Sequence, residues 1–190
     1  MSTTLISELQ RAARFGRLER VKVLLAAGIR SSEDKIEALR LAFAFRHQDV
    51  AFVLVTSGTP LTKYALYEAV VEGWANVVRA LLDAGADLHY RNDIALYCAV
   101  IYKQLEIVKI LLAAGANFRV ENYKIIQHAV GFSKLDIVEA LVSYCTAKEL
   151  TDIQSKMRSS LLAEIIARHK PRGSRTKAAL REPRPAEPDI

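Results

Sequence analysis

Cysteine and proline are scarce in this chain of 190 residues. The two cysteines, Cys98 and Cys145, are too few for a disulfide framework and lack the spacing of metal ligands. Four of the five prolines fall within the last twenty residues. The cysteine content favours a reducing, cytosol-like compartment, and the proline distribution predicts a boundary near Lys170.

Long apolar runs are also missing. No stretch approaches the roughly 18 consecutive apolar residues of a membrane span, and the N-terminal sequence lacks the basic and apolar regions of a secretory signal. We therefore expect a cytoplasmic protein. Delivery into a host cell is compatible with the same sequence.

The positive charge of the chain is unevenly distributed. The formal net charge is +6, and residues 168–190 contribute seven Arg or Lys against three acidic residues, a net +4. Most of the positive charge therefore lies in the C-terminal segment and not in residues 1–167. This distribution argues against nucleic-acid binding by the chain as a whole. The Pro- and Arg-rich composition of residues 170–190 predicts a disordered tail.

Sequence patterns of catalysis are absent. The chain contains no glycine-rich phosphate loop, His-Glu-x-x-His, Cys-x-x-Cys or nucleophile-elbow pattern. His47 and His128 are interpreted as structural, and Cys98 as a buried, inert thiol beside an apolar helix position. The sequence therefore predicts no enzyme, no metal site and no cofactor.

The chain contains a repeat of about 30 residues, a period typical of solenoid folds. Its anchor is a glycine that recurs at intervals of 30, 27 and 30 residues. In the fifth unit a cysteine occupies the anchor position. The anchors are Gly28, Gly58, Gly85, Gly115 and Cys145. Sixteen residues before each anchor stands an alanine: Ala12, Ala42, Ala69, Ala99 and Ala129. Three residues earlier stands a leucine or isoleucine: Leu9, Leu39, Leu66, Leu96 and Ile126.

Each unit has the pattern of two short helices. The first helix spans about ten residues, with apolar positions three to four apart. A break follows at a glycine or a polar residue: Gly16, Arg46, Gly73, Lys103 and Ser133. The second helix ends at the anchor glycine, which adopts a left-handed C-cap conformation without steric cost. The alanines are predicted to lie where neighbouring units approach closely.

These units resemble the ankyrin repeat. Its core consensus, LAAxxGHLEVVKLLLxAGAD, aligns with QRAARFGRLERVKVLLAAGI at 10–29, EAVVEGWANVVRALLDAGAD at 68–87 and CAVIYKQLEIVKILLAAGAN at 98–117. The Thr-Pro-Leu-His opening of the family is absent, and the period of 30 is shorter than the commoner 33. The resemblance implies an all-α solenoid of five helix-turn-helix units with short inter-repeat fingers over residues 1–147, with units at 5–28, 33–58, 62–85, 92–115 and 122–145.

A last helical segment is predicted at 148–169. Its apolar residues lie three or four apart, and they form one stripe: Leu150, Ile153, Met157, Leu161 and Ile165. We interpret the segment as a C-terminal capping helix that closes the open end of the stack.

The resemblance implies that a partner lies across the finger tips and the concave face of the first helices. The residue three positions after each alanine belongs to that region, and four of these five residues are aromatic: Phe15, Phe45, Glu72, Tyr102 and Phe132. Two interpretations are open, namely aromatic filling between repeats and a partner groove with aromatic anchors. Further candidate contacts are Trp74, Tyr90, Arg91, Val120 and Glu121. The short connector at 58–64 predicts a notch beside Glu72.

The expected function is binding of a protein partner by a monomeric adaptor, inhibitor or effector. No small-molecule substrate is expected. An alternative from another class is a tethering protein whose basic tail binds nucleic acid or an anionic membrane, in a nonspecific and salt-sensitive way.

Overall fold

The computed structural model describes residues 2–29, 31–157 and 159–168, with side chains from residue 8 onward. Within these ranges the chain forms twelve helices and no β-strand: α1 (Ser2–Arg14), α2 (Leu18–Ala26), α3 (Ser32–Ala44), α4 (Gln48–Thr56), α5 (Ala65–Glu72), α6 (Ala75–Asp83), α7 (Tyr90–Ile101), α8 (Leu105–Ala113), α9 (Val120–Gly131), α10 (Leu135–Val142), α11 (Ala147–Lys156) and α12 (Ser160–Arg168). The prediction of an all-α repeat fold is confirmed. The predicted tail at 170–190 lies outside the described residues.

The first ten helices form two layers. One layer contains the first helix of each unit (α1, α3, α5, α7 and α9), and the other contains the second helices (α2, α4, α6, α8 and α10). Each first helix packs on the second helix of its own unit, and successive second helices pack on one another along the stack. The chain is therefore a solenoid of five helix pairs, in which each unit mainly contacts its neighbours.

The core of the solenoid consists of the columns that the repeat predicts. The five alanines are at most 3% exposed, and the five leucines or isoleucines three residues before them are at most 4% exposed. Helices approach most closely where the side chains between them are small. The regular spacing of alanine along the sequence therefore sets the regular stacking of the units.

Left-handed residues end both helices of most units. The anchor glycines 28, 58, 85 and 115 have φ between 76° and 99°. The break between the two helices is also left-handed, at Gly16, Gly73 and the non-glycine residues Arg46, Lys103 and Ser133, which have φ of 59°, 61° and 52°. A side chain at positive φ carries a steric cost that glycine avoids. Three units therefore keep a side chain at this turn despite the cost.

The fifth unit ends differently from the others. Cys145 occupies the anchor place, but it is not among the positive-φ residues. It is 8% exposed, and its thiol lies 3.6 Å from the carbonyl oxygen of Leu141. Thr146 follows at once and caps α11 through a capping box with Glu149. Because the next helix starts immediately, a glycine turn is not needed there.

The expected capping helix is divided into two helices, α11 and α12, by an extended backbone at Met157, with φ −112° and ψ 98°. α12 packs on α10 and α11. On α12 the predicted Ile165 is buried together with Leu162, which the stripe did not include, while Leu161 is half-buried. Leu161 nevertheless packs against the edge of the core, as does Met157.

The fingers include the starts of α7 and α9, which contain consecutive left-handed residues. Arg91, Asn92 and Asp93 have φ of 48°, 57° and 58°, and the residues 30 positions later, 121–123, have φ of 49°, 56° and 62°. The chain makes one left-handed turn here before each first helix continues. This turn places the finger side chains beside the surface of the first-helix layer.

Candidate functional site

The four aromatic residues of the predicted column are exposed. Phe15 is 57% exposed, Phe45 44%, Tyr102 51% and Phe132 38%. Residues that fill gaps between repeats are usually buried, so these exposures favour a partner groove over aromatic filling. Together with Glu72 at the same place in the third unit, we call this set of five residues the aromatic column.

Local backbone geometry explains the exposure of the aromatic column. Phe45, Tyr102 and Phe132 are the C-cap residues of α3, α7 and α9, while Phe15 directly follows α1. The next residue in each unit is a left-handed one or Gly16, which turns the chain away. The column side chains therefore stand at the ends of the first helices, beyond the last packed turn.

Cationic side chains lie over three of these rings. The guanidinium carbon of Arg14 is 5.0 Å from the ring centroid of Phe45 and 5.8 Å from that of Phe15. Arg17 lies 5.8 Å from Phe15. The Lys103 ammonium lies 5.4 Å from Phe132, in the next unit. These distances are within the range in which a ring face attracts a cation.

The third unit replaces the aromatic residue with an ion pair. The Arg46 Nε lies 3.1 Å from the Glu72 carboxylate, and the Glu72 side chain is only 20% exposed. Arg46 precedes Glu72 by one unit, just as Lys103 precedes Phe132. Glu72 is therefore a polar interruption of the column that is neutralised by its neighbour.

Trp74 does not belong to this surface. It is 7% exposed and stacks on Phe43, with ring centroids 5.3 Å apart and an interplanar angle of 13°. Its place in the third unit is that of His47 in the second, just before the second helix, where side chains pack back onto the preceding unit. Trp74 lies close to Glu72 in the sequence, but the two side chains do not share a surface. The prediction of Trp74 as a partner contact is therefore wrong.

His47 has the structural role that the sequence predicts. Its Nε2 lies 2.9 Å from the carbonyl oxygen of Arg14 in the preceding unit. Its ring also closes over Gly16, where a Cβ would come within 2.5 Å of Nδ1. Gln104 stands at the same place against Gly73, and its Oε1 is buried with no hydrogen-bond partner among the described residues.

A cavity of about 300 Å³ lies between the fingers of the fourth and fifth units. Three predicted contacts line it, namely Arg91, Val120 and Glu121. Tyr90 is outside the lining, and its ring meets that of Tyr64 edge to face at 5.7 Å. The remaining lining residues are not among the contacts predicted from the sequence: Asn92, Asp93, Ile94, Tyr97, Asn117, Phe118, Lys124 and Ile125.

Asp93 joins the two fingers beneath this cavity. It is 5% exposed, and its Oδ1 accepts a hydrogen bond from the backbone N–H of Asn117 at 2.9 Å. The same oxygen lies 3.0 Å from Nδ1 of His89. A buried carboxylate needs such partners. No other unit has an acid at this place, so the repeat pattern could not signal it.

The cavity and the aromatic column are continuous on the fourth and fifth units. The Tyr97 hydroxyl, at the cavity edge, lies 3.4 Å from Nε2 of His128, and the two rings meet edge to face. His128 in turn stacks on Phe132, with centroids 6.2 Å apart. One surface therefore extends from the finger cavity to the end of the column. We use the name first-helix face for the finger cavity and the whole aromatic column together.

The first-helix face offers binding chemistry more readily than catalytic chemistry. Burial raises the pKa of the Cys98 thiol, which disfavours the reactive thiolate. Burial also raises the pKa of Cys145 to about 12. Within the described ranges, no group of three or more His, Cys, Asp or Glu residues could hold a metal ion. No helix in the same ranges has the length and apolar content to cross a membrane.

A second cavity, of about 490 Å³, lies on the opposite layer, between α4 and α6. Phe52 stands at its edge and is 37% exposed. In the other four units the same place carries a charged residue: Lys22, Arg79, Lys109 and Glu139. Sequence reasoning missed this site because it followed the first helices only.

The comparisons with known proteins agree with the architecture. A family model for ankyrin repeats, in three copies, matches residues 9–122, which is more than half of the chain. No curated protein matches the sequence. Ankyrin repeats are generally protein–protein interaction modules and are typically not enzymes. The helix pairs, the alanine and glycine columns and the matched model together show that this chain belongs to the ankyrin-repeat family.

Proposed function

We propose that this chain binds a protein partner along the first-helix face, as an adaptor, inhibitor or effector. The observation that carries the proposal is the exposure of four aromatic residues in one register, between 38% and 57%. Exposed aromatic residues that share one face are typical anchors of protein interfaces. A monomer that leaves such a surface open usually has a use for it.

The finger cavity supports the same proposal. It lies beside the column and combines apolar walls, such as Val120, with charged rims at Arg91 and Glu121. A partner side chain entering it would be surrounded on several sides, as hot-spot side chains are. Tyr90 contacts Tyr64 and Glu72 pairs with Arg46 within the chain. We therefore assign both residues to the rim of the proposed contact surface and not to its centre.

The experiment is a quantitative capture of binding proteins from cells that express the chain. Three versions are compared: the full chain, the Phe45→Ala/Tyr102→Ala variant and Phe52→Ala. Phe52 is the control, because it is a partly exposed aromatic residue on the opposite layer. We expect the double variant to lose a partner that the control retains. Equal recovery by all three versions would contradict the proposed face.

The tethering alternative is tested in the same experiment by a chain that ends at His169. Retention of the partner by this truncated chain is expected if the first-helix face is the site. Loss of all partners on truncation, with an intact column, would instead favour the basic tail.

A further inference from the structure

We propose that the segment bound along the aromatic column is an acidic peptide, in which carboxylates alternate with apolar side chains. This inference rests on the proposed function and specifies the chemistry of the partner. It assigns the carboxylates of the peptide to Arg14, Arg17 and Lys103. Its apolar side chains are assigned to the exposed parts of the aromatic rings.

The first support is the distribution of cations on the surface. In the part of the chain that the structure describes, six cations lie over aromatic rings, and all six are in fingers, connectors or the turns at the ends of first helices: Arg14, Arg17, Lys63, Arg91, Lys103 and Arg119. Among the described residues, only Arg119 of these also pairs with a carboxylate. Ion pairs occur on both layers, for example Lys22–Glu19 and Arg79–Glu106 in the second helices and Arg40–Glu37 in the first. Arg14, Arg17 and Lys103 contact aromatic rings and take part in none of the ion pairs of the described residues.

The ring contacts leave these cations available to a ligand. A cation over a ring keeps most of its N–H donors free, because the ring attracts it through its π electrons and does not neutralise its charge. Arg14, Arg17 and Lys103 are all exposed. The rings hold the cations in one orientation and lower the entropy lost when a carboxylate binds. The column is therefore preorganised for anions that are attached to apolar groups.

The second support is the backbone at Lys103. The same turn is made by glycine in the first and third units, at Gly16 and Gly73, without steric cost. Lys103 makes it at φ 61° and places its ammonium over Phe132. Arg46 and Ser133 make the same turn, so the conformation belongs to the repeat. Of these three residues, Lys103 alone places a cation over a ring of the column.

Charge complementarity disfavours two other occupants, and the covered ring faces disfavour a third. The basic segment at 168–190, with a net +4, carries the same sign as Arg14, Arg17 and Lys103. A second copy of the chain would present the same unpaired cations. Single-stranded nucleic acid binds by stacking bases on open ring faces, and at Phe15, Phe45 and Phe132 cations of the chain itself already lie over the rings.

Glu72 divides the column into two parts. Its pairing with Arg46 leaves this cation neutralised in the third unit. Neighbouring helices pack about 8–10 Å apart, so about six extended residues of peptide span the distance from Phe45 to Tyr102. We therefore expect two acidic-apolar clusters in the peptide, separated by such a spacer.

The test begins with a library of random linear peptides displayed on phage and selected on the full chain. The expected result is enrichment of Asp and Glu interleaved with aromatic or aliphatic residues. A labelled selected peptide then gives dissociation constants by fluorescence anisotropy. Its affinity should fall as the salt concentration rises.

Variants then locate the charge dependence. Lys103→Gly relieves the left-handed strain while removing the ammonium, so we expect an unchanged or higher melting temperature with about fivefold weaker binding. Ser133→Gly is the matched control, because it makes the same backbone change at φ 52° without removing a charge. Glu72→Gln frees Arg46 and should strengthen binding, a gain that misfolding cannot produce.

The outcomes separate the two proposals. Selected peptides that are neutral or basic but lose affinity with Tyr102→Ala would overturn the acidic peptide and leave protein binding at the column intact. Peptides that are insensitive to both Phe45→Ala and Tyr102→Ala, or no enrichment at all, would contradict the column itself. Stronger binding of an oligothymidylate than of any selected peptide would overturn the inference in favour of nucleic acid.

Discussion

The imidazole of His47 covers the Cα of Gly16 in the preceding unit, so that a Cβ at position 16 would lie 2.5 Å from Nδ1. The same ring places Nε2 2.9 Å from the carbonyl oxygen of Arg14. One residue pair thus closes the helix-helix turn of the first unit and fixes the second unit on it. Arg14, whose side chain contacts Phe45, is positioned by this contact.

Substitution of Gly16 with alanine should therefore cost more than the same change at an anchor glycine. Both positions are left-handed, but a Cβ at Gly28 has no neighbour within 4 Å. We expect about 1 kcal/mol of destabilisation for Gly28→Ala and about 2–3 kcal/mol for Gly16→Ala. Urea unfolding of the two variants measures the difference. Equal losses would mean that the His47 ring moves aside without cost.

The buried amide of Gln104 offers a stabilising substitution. Gln104 packs against Gly73 as His47 packs against Gly16, but its Oε1 is unsatisfied. In Gln104→His, the new imidazole should reach the carbonyl of Val71, which corresponds to Arg14. Removal of an unsatisfied buried acceptor predicts a gain of about 1 kcal/mol in unfolding free energy. The reciprocal change His47→Gln should destabilise, and a loss in both variants would contradict the equivalence of the two sites.

Acid should weaken the joint between the fifth finger and the terminal helices. The hydrogen bond from Arg119 is the main cause that lowers the pKa of Glu149 to about 2, from 4.5. A lowered folded-state pKa stabilises the protein above pH 4.5, and this contribution is lost as the pH falls towards 2. Because Arg119 is 45% exposed, the contribution should be about 1 kcal/mol after solvent screening.

Glu149→Gln isolates this charge, because glutamine retains the capping-box geometry with Thr146. Urea unfolding at several pH values should show the variant less stable than the wild type at neutral pH. The two curves should converge between pH 4.5 and about 2. A difference that is independent of pH would assign the effect to packing.

The buried alanine column predicts a specific sensitivity to side-chain volume. Ala99 is 0% exposed at the contact between neighbouring units. In Ala99→Leu, overpacking should reduce the unfolding free energy by about 1–3 kcal/mol. Ala113, an exposed alanine of α8, is the control position, where Ala113→Leu should change stability little. An unchanged melting temperature for Ala99→Leu would contradict the stacking described above.

The repeat made much of the fold predictable, because spacing alone locates buried columns and turns. The alanines, the leucines and the anchor glycines lie where a period of about 30 residues requires them. Features specific to one unit were not predictable in this way. Asp93 and the break at Met157 have no counterparts in other units, so no pattern signals them.

The candidate surface was predictable only in part. The register of Phe15, Phe45, Tyr102 and Phe132 placed them on one face, but their exposure depends on how the last helical turn ends. Trp74 was misplaced because sequence proximity to Glu72 was given more weight than its register with His47. The cation contacts require three-dimensional geometry, since Lys103 and Phe132 lie in different units.

The central claim is tested most directly by measuring both the melting temperature and the partner affinity of the Tyr102→Ala variant. Tyr102 is 51% exposed, so its removal should leave the melting temperature nearly unchanged. The affinity for the captured partner or the selected peptide should fall by about 1–3 kcal/mol, the scale of an aromatic anchor. Phe52→Ala should change neither quantity. A large drop in melting temperature with unchanged affinity per folded molecule would contradict a binding role for the aromatic column.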